Sequence, residues 1–394
     1  MTACATERPT NDSRTKNSRT ARHTSFTIAA DGAYAARLNA SADGGWYPER
    51  WTLDGPEPYA VPLPGSRPEE ADSQVLPLTD GRVLIARREE GGRRLALLYP
   101  TGPGTGEVSL GTVESEQSEQ FTLLPPAPCG LRAYALVPGE HSTAVWLVAD
   151  RGDSAPQLVA RVAGHCTGGA WLDREGRLLA VDRTDTAGSG RTKTVAVDLG
   201  RGGEVSPLLQ ITADSDDRLL LADPDSGLLL LRSDAPGEDR LGWGVLGSHR
   251  PVRFPESLRP EGTLLTPFAV QPGQMLLPES CAVALRGQPV GAGSDEAAWL
   301  GVWRPMRKEL RRFPAPAGWL PGKGVWTREG ELRLPCATAL VACGLARLRM
   351  RGSGPDAGTG AAGEEGERVG RPAPRPQAAL PAALPAAPPA EGPP

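Results

Sequence analysis

The sequence predicts an all-β chain, a β-propeller of four-stranded antiparallel blades flanked by disordered tails. Seven blades are favoured and six are the alternative. Three observations predict it. Short apolar runs of four to seven residues alternate with clusters of Gly, Pro, Asp and Ser from Ser25 to about Met350, which is strand-and-turn grammar. Convincing amphipathic helices are missing from that span. The runs also recur at a spacing of nearly 50 residues, the period of a unit with four short strands.

The clearest stretch is Trp171 to Arg183, WLDREGRLLAVDR. A Trp opens it, an acidic turn with Gly176 follows, and Leu178 to Val181 form an apolar strand. Weaker versions run along the chain.

Residues 1–25 are polar, with Arg8, Arg14, Lys16, Arg19 and Arg22 against Glu7 and Asp12. They show no periodicity and read as a disordered arm. The repeating units follow. Their anchors are strands beginning near Trp51, Leu97, Val145, Val195, Trp243 and Gly301, with steps of 46, 48, 50, 48 and 58 residues. Each anchor leads through a turn to a further strand, as Val145-Trp-Leu-Val-Ala-Asp leads to Gln157-Leu-Val-Ala-Arg-Val. Each is preceded by one, namely Tyr34-Ala-Ala-Arg-Leu, Arg82-Val-Leu-Ile-Ala, Leu131-Arg-Ala-Tyr-Ala-Leu, Arg177-Leu-Leu-Ala-Val, Arg218-Leu-Leu-Leu-Ala with its echo at Gly227, and Met275-Leu-Leu-Pro. A seventh unit starts at Gly324-Val-Trp and reaches Gly344-Leu-Ala-Arg-Leu-Arg without an evident fourth strand. Phe26-Thr-Ile-Ala, or the stretch from Arg371, is expected to complete it. One small sheet cannot bury both its faces, whereas sheets stacked around an axis cover one another.

Trp171-Leu-Asp-Arg-Glu-Gly-Arg-Leu-Leu-Ala-Val resembles the Trp-Ser-Pro-Asp-Gly-Arg-x-Leu-Ala-Phe repeat of WD-like (WD40-like) and TolB-like propellers. It has one extra residue before the glycine and lacks the proline. Leu78-Thr-Asp-Gly-Arg-Val-Leu-Ile-Ala and Trp326-Thr-Arg-Glu-Gly-Glu-Leu-Arg-Leu match more loosely. The Gly-His and Trp-Asp pair of true WD repeats is absent. The resemblance implies the fold over residues 26–350 and carries over no binding residues.

Residues 351–394 hold 10 Pro, 11 Ala and 8 Gly and read as a low-complexity, disordered tail. The net charge is −4. Setting aside an arm of +3 and a tail of −1 leaves the core at −6, which argues against a nucleic-acid partner. No apolar run approaches the 18 residues of a membrane span, and the first 30 residues lack a signal peptide. A monomeric cytoplasmic protein is expected. Cys4, Cys129, Cys166, Cys281, Cys336 and Cys343 are scattered singly, as reduced and mostly buried thiols are.

Chemistry-bearing sets are sparse. No Gly-x-Ser-x-Gly occurs, although similar propellers cap prolyl-oligopeptidase-like hydrolases, and a 44-residue tail leaves no room for a hydrolase domain. His23, His141, His165 and His249 form no His-Glu-x-x-His, and no Cys-x-x-Cys is present. Asp214, Asp216, Asp217, Asp223 and Asp225 could hold Ca²⁺, but they read better as two turns flanking Leu219–Leu221. Gly318 to Gly324 and Gly188 to Lys193 read as turns rather than phosphate cradles. Arg304, Arg307, Lys308, Arg311 and Arg312 read as a turn and a charged outer strand that protects a sheet edge, in preference to a binding patch or helix. Trp51, Trp146, Trp243 and Trp303 are expected between blades, and Trp46, Trp299 and Trp319 at loops or strand ends, where they could anchor a partner.

The sequence therefore assigns no catalytic, metal or cofactor residue. It favours a non-catalytic scaffold that binds a protein or peptide through its loop face. The alternative is a propeller enzyme, lactonase-like or glycan-processing, with its site in the central channel. A degenerate remnant is the third reading.

Overall fold

Middle strands of the chain are apolar on both faces. Leu84, Ala86, Leu95 and Leu97 pack to one side, while Val83, Ile85, Ala96 and Leu98 from the same two strands pack to the other. Successive side chains of a strand point to opposite faces, so a continuous apolar run belongs to a sheet covered on both sides. That is the situation of a blade within a ring.

The computed structural model describes residues 26–350 apart from 42–43, 116–119, 153, 186–187, 274–276 and 292–296. Seven sheets follow one another in chain order. Blade one holds β1 (Thr27–Ile28), β2 (Tyr34–Ala40), β3 (Trp46–Thr52) and β4 (Tyr59–Pro62). Blade two holds β5 (Gln74–Pro77), β6 (Val83–Glu89), β7 (Gly92–Pro100) and β8 (Thr105–Glu114). Blade three holds β9 (Thr122–Leu123), β10 (Ala133–Pro138), β11 (Ser142–Ala149) and β12 (Gln157–Ala163). Blade four holds β13 (His165–Trp171), β14 (Leu178–Thr184), β15 (Thr192–Asp198) and β16 (Glu204–Leu209). Blade five holds β17 (Asp217–Ala222), β18 (Leu228–Ser233) and β19 (Arg240–Val245). Blade six holds β20 (Thr263–Val270), β21 (Val283–Pro289), β22 (Trp299–Trp303) and β23 (Leu310–Phe313). Blade seven holds β24 (Val325–Trp326), β25 (Glu331–Cys336) and β26 (Gly344–Arg349). Strands within each blade lie in sequence order and pair antiparallel. Among the described residues the only helical segments are three-residue 3₁₀ turns, and no helix is long and apolar enough to cross a membrane.

All six sequence anchors fall on the third strand of a blade. The strands predicted before them at Tyr34, Arg82, Leu131, Arg177 and Gly227 are second strands, and Arg218 lies on an inner one. Most inner strands carried little sequence signal. Three of them, β1, β9 and β24, are only two residues long.

Seven apolar clusters account for seven seams, one between each pair of neighbouring blades. Seven blades, not six, close the ring. The final seam sets Phe26, Ala35, Trp51 and Leu53 of blade one against Leu320, Ala337, Cys343 and Leu345 of blade seven.

Two strand expectations are corrected. Phe26-Thr-Ile-Ala does not complete blade seven: Thr27 and Ile28 pair with Ala36 and Ala35 as the inner strand of blade one. The Phe26 ring meets Trp51 edge-on at 5.0 Å, which fixes the chain on that side of the seam. The alternative from Arg371 lies outside the described residues, as do the arm 1–25 and tail 351–394. Met275-Leu-Leu-Pro is not a described strand either. Met275 and Leu276 lie outside the described residues, Leu277 is exposed, and Pro278–Ser280 form a 3₁₀ turn suited to a residue without an amide hydrogen. The inner strand of blade six is Thr263–Val270, whose alternating burial marks it as half-covered. In blade five the predicted Pro251-Val-Arg-Phe-Pro outer segment bridges Trp243 through Arg253.

Candidate functional site

The turn between the first and second strand of a blade opens at one end of the ring. Six of these seven turns, those of blades one and three to seven, surround a cavity of 780 Å³. It is the central concavity of that face.

Local chemistry sets each turn. In blade one, Asp31 accepts the amide hydrogen of Ala33 at 3.0 Å, and Gly32 takes φ 75°. In blade four, Trp171 ends β13 and donates from Nε1 to the Pro125 carbonyl at 3.0 Å, linking blades three and four. Asp173 then accepts from the amides of Arg177 and Leu178. This tight turn projects Arg174, whose guanidinium pairs with Asp225 from the corresponding turn of blade five. Asp223 of that turn accepts from the Ser226 hydroxyl at 2.6 Å and from two amides. Burial raises its carboxyl above the ordinary range, and those hydrogen bonds recover only part of the shift. In blade seven, Trp326 ends β24 and Thr327, Arg328 and Glu329 make the turn. Local backbone and Thr327 hydrogen bonds lower the exposed Glu329 carboxyl.

The rim also carries Pro125, Pro126, Pro128, Pro224 and Pro272. Prolines offer apolar rings and carbonyl acceptors but no amide donors. Donors to a guest come instead from Arg174, Arg328 and Arg333, beside Asp31, Asp225 and Glu329. The mouth can grip apolar side chains and main-chain carbonyls and can sort charges.

The predicted acidic cluster is split. Asp217 is fully buried at the start of β17, held by Lys193, Ser215, Ser233 and the Ile211 amide. Asp216 receives the Thr192 amide at 2.6 Å. Asp223 and Asp225 lie beyond the other end of the strand, on the mouth. The turns flanking Leu219–Leu221 are what the sequence predicted. Among the described residues no group of three or more His, Cys, Asp and Glu side chains is placed to hold a metal ion.

His141 and His249 are exposed, His165 begins β13, and His23 lies outside the described residues. Nothing brings the three described histidines together. Residues 318–324 form a turn in which Trp319 donates to the Lys323 carbonyl, and residues 188–191 lie in the β14–β15 hairpin turn closed by Asp185, with Thr192 and Lys193 opening β15. Cys129, Cys166, Cys281, Cys336 and Cys343 are free, and Cys4 lies outside the described residues. The basic run is a turn followed by β23, with Arg311 and Arg312 on the outer strand. Arg312 stacks over Trp299 at 4.7 Å.

One aromatic expectation is corrected. Trp46, Trp299 and Trp319 are not exposed anchors; all three pack into seams. Trp171 and Trp326 line the mouth, but they too are buried, 6% and 3% exposed, and pack into the seams between blades three and four and blades six and seven. Their signal was present in the related stretches Trp171-Leu-Asp-Arg-Glu-Gly and Trp326-Thr-Arg-Glu-Gly, where each tryptophan ends an inner strand just before the turn.

No family model and no curated protein matches the chain. Solved structures do. A puromycin hydrolase aligns with 83% of this chain and 52% of its own at 17% identity and a TM-score of 0.54. A puromycin-hydrolyzing peptidase of Mycobacterium tuberculosis aligns with 83% and 51% at 15% identity and a TM-score of 0.51. TolB from Acinetobacter baumannii aligns with 81% and 80% at 12% identity and a TM-score of 0.41. The likeness is one of fold. The chain spans about half the length of the two puromycin-hydrolysing structures.

Proposed function

We propose that this propeller is a non-catalytic binding module that takes an extended segment of a protein or peptide at the mouth of its central channel. One observation carries the reading. Six turns converge on a 780 Å³ concavity whose lining mixes proline rings and arginine donors above two largely buried tryptophans. Such a lining suits a main chain with apolar side chains and scattered carboxylates better than a compact polar metabolite. The likeness in fold to a structure described as a puromycin-hydrolyzing peptidase, about half of whose length this chain spans, supports a peptide as the class of guest and a module as the kind of part.

The test is a peptide panel offered to the full chain, read by fluorescence anisotropy. Peptides that bind are expected to lose at least about tenfold in affinity, roughly 1.4 kcal/mol, on the double substitution Arg174→Ala and Arg328→Ala. Arg161→Ala, on the exposed outer strand of blade three, is expected to change nothing. Equal binding by all three proteins would sink the reading. So would turnover of a lactone or glycoside lost on Asp223→Asn or Asp225→Asn, which would move the function to the channel enzyme.

A further inference from the structure

Blade seven presents a different surface. Among the described residues β26 is its outermost strand, whereas blades one to four and six carry a fourth strand and blade five has the Arg253 bridge. An edge strand offers alternate N–H and C=O groups to any strand that can lie beside it.

Two features of this edge narrow what can do so. Glu331 and Arg333 of β25 lie directly across from Arg349 and Arg347 of β26. The Glu331 carboxylate is 2.8 Å from Arg349, 3.3 Å from Arg333 and 4.0 Å from Arg347. One carboxylate among three guanidiniums leaves the edge positive, with the Arg347 and Arg349 side chains 43% and 83% exposed. At the other end of β26, the hairpin turn from β25 holds Leu340 at 96% and Val341 at 52% exposure. That turn is fixed, since Thr338 donates its amide to the Val341 carbonyl at 2.8 Å and accepts the Val341 amide on its hydroxyl at 3.0 Å.

We infer that the edge of β26 is a docking site for an acidic β-strand of a partner protein, which adds to blade seven as its fourth strand. The guest runs antiparallel, as neighbouring strands do throughout this ring. Leu345, Arg347 and Arg349 share one face of β26, so the guest reads acid–x–acid–x–apolar from its N-terminal end. Its following residues reach Leu340 and Val341. A second copy of β26 would set arginine against arginine, a pairing that like charges oppose. No residue of β26 lines the channel mouth; Arg333 of β25 lines the mouth and also touches Glu331, but the docking edge is β26 itself.

The probe is a fluorescein-labelled acetyl-Thr-Glu-Thr-Glu-Thr-Val-Thr-Leu-Thr-amide, titrated with the full chain. Saturable binding is expected, weakened tenfold or more by Arg347→Glu. The double variant Arg347→Glu with Arg349→Glu is expected to prefer the peptide with lysine in place of glutamate. N-methylation of the peptide amides facing β26 is expected to abolish binding to the unsubstituted chain, a readout independent of whether any variant folds. Failure of the full chain to bind the peptide, as when another segment or a second copy holds the edge, overturns the proposal. Equal affinity for the N-methylated peptide overturns it too, since that contact would be ionic alone.

Discussion

Lys193 places its ammonium 2.8 Å from Oδ2 of Asp217, whose carboxylate is fully buried at the seam between blades four and five. Ser215 and Ser233 donate to the other oxygen at 2.9 and 2.6 Å. Nearby, Asp182 accepts the Thr194 hydroxyl at 2.7 Å and the Leu219 amide at 3.0 Å, and Thr194 sits within reach of the Asp217 carbonyl. Two buried acids thus tie β14 and β15 to β17. Removing one partner of such a pair strands the other charge. Lys193→Met is expected to destabilise the fold by about 3–5 kcal/mol, measured as a fall in the denaturant midpoint. An unchanged midpoint would show that the pair contributes nothing.

The same two acids shift in opposite directions. Burial pushes Asp217 up, but the hydrogen bonds from Lys193, Ser233, Ile211 and Ser215 outweigh it and hold the carboxyl below 3.8. Its contribution is complete above that unfolded value and is lost as pH falls through the folded one. Burial dominates at Asp182 and raises it above 3.8, so its ionisation opposes folding as pH rises through the folded value. Urea denaturation from pH 3 to pH 7 is expected to show Asp217→Asn losing ground to the unsubstituted chain as pH rises. Asp182→Asn is expected to gain ground over the same range. Parallel curves for both would contradict the assignment.

Among the described residues, ring closure rests on packing rather than on strand exchange. Phe26 is buried against Trp51, whose indole donates to Glu49 at 2.8 Å beneath the Arg37 guanidinium. Phe26→Ala is expected to cost about 3–5 kcal/mol, the range for deleting a buried aromatic. Tyr59→Ala, at a ring 53% exposed, is expected to stay within about 0.5 kcal/mol. Thermal melts of the two variants side by side measure this.

Burial holds the thiols in their unreactive form. It pushes Cys166 to about 11 and Cys343 to about 12, and it raises Cys281 and Cys336. Because the thiolate is the nucleophile, these four are expected to react with a disulfide reagent at pH 8 only after unfolding. Peptide mass mapping of the native and denatured protein separates the cases. Native modification of Cys166 would count against its seam position.

Lys308 is the one described residue other than glycine with positive φ, at 54°. It lies in the turn before β23. A side chain in the left-handed region costs about 1–2 kcal/mol, while glycine adopts it freely. Lys308→Gly is therefore expected to be neutral or stabilising by up to about 1 kcal/mol, in contrast to a glycine placed inside a strand. A clear loss of stability would mean that the Lys308 side chain itself holds the turn.

Legibility varied with depth in the blade. Third strands were readable because they are long and covered on both faces, so Leu95, Ala96, Leu97 and Leu98 form an unbroken apolar run. The shortest inner strands were harder to read, since Thr122–Leu123 and Val325–Trp326 carry two residues each, whereas the six-residue β17 showed as Arg218-Leu-Leu-Leu-Ala. Asp214, Asp216, Asp223 and Asp225 flank β17 as local turn signals indicate, but Asp217 opens the strand itself and is fully buried against Lys193, which no local signal gives. Trp46, Trp299 and Trp319 do lie at strand ends or in a loop, but their burial was not legible, because a tryptophan at a strand end looks the same in sequence whether a neighbouring blade covers it or not.

What the amino-acid order alone determined is the unit: an apolar strand pair, its glycine turns, the near-50-residue period and hence a ring of small sheets. These follow from alternation and turn chemistry within a few residues. The tertiary structure settled the seven blades that the sequence favoured over six, and it alone decided the closure of Phe26 against blade seven and the mouth. Arg174 pairs with Asp225 there across 51 positions, and Trp171 and Trp326 line one cavity across 155. No local pattern encodes such a meeting, because it depends on how every intervening blade packs on the next.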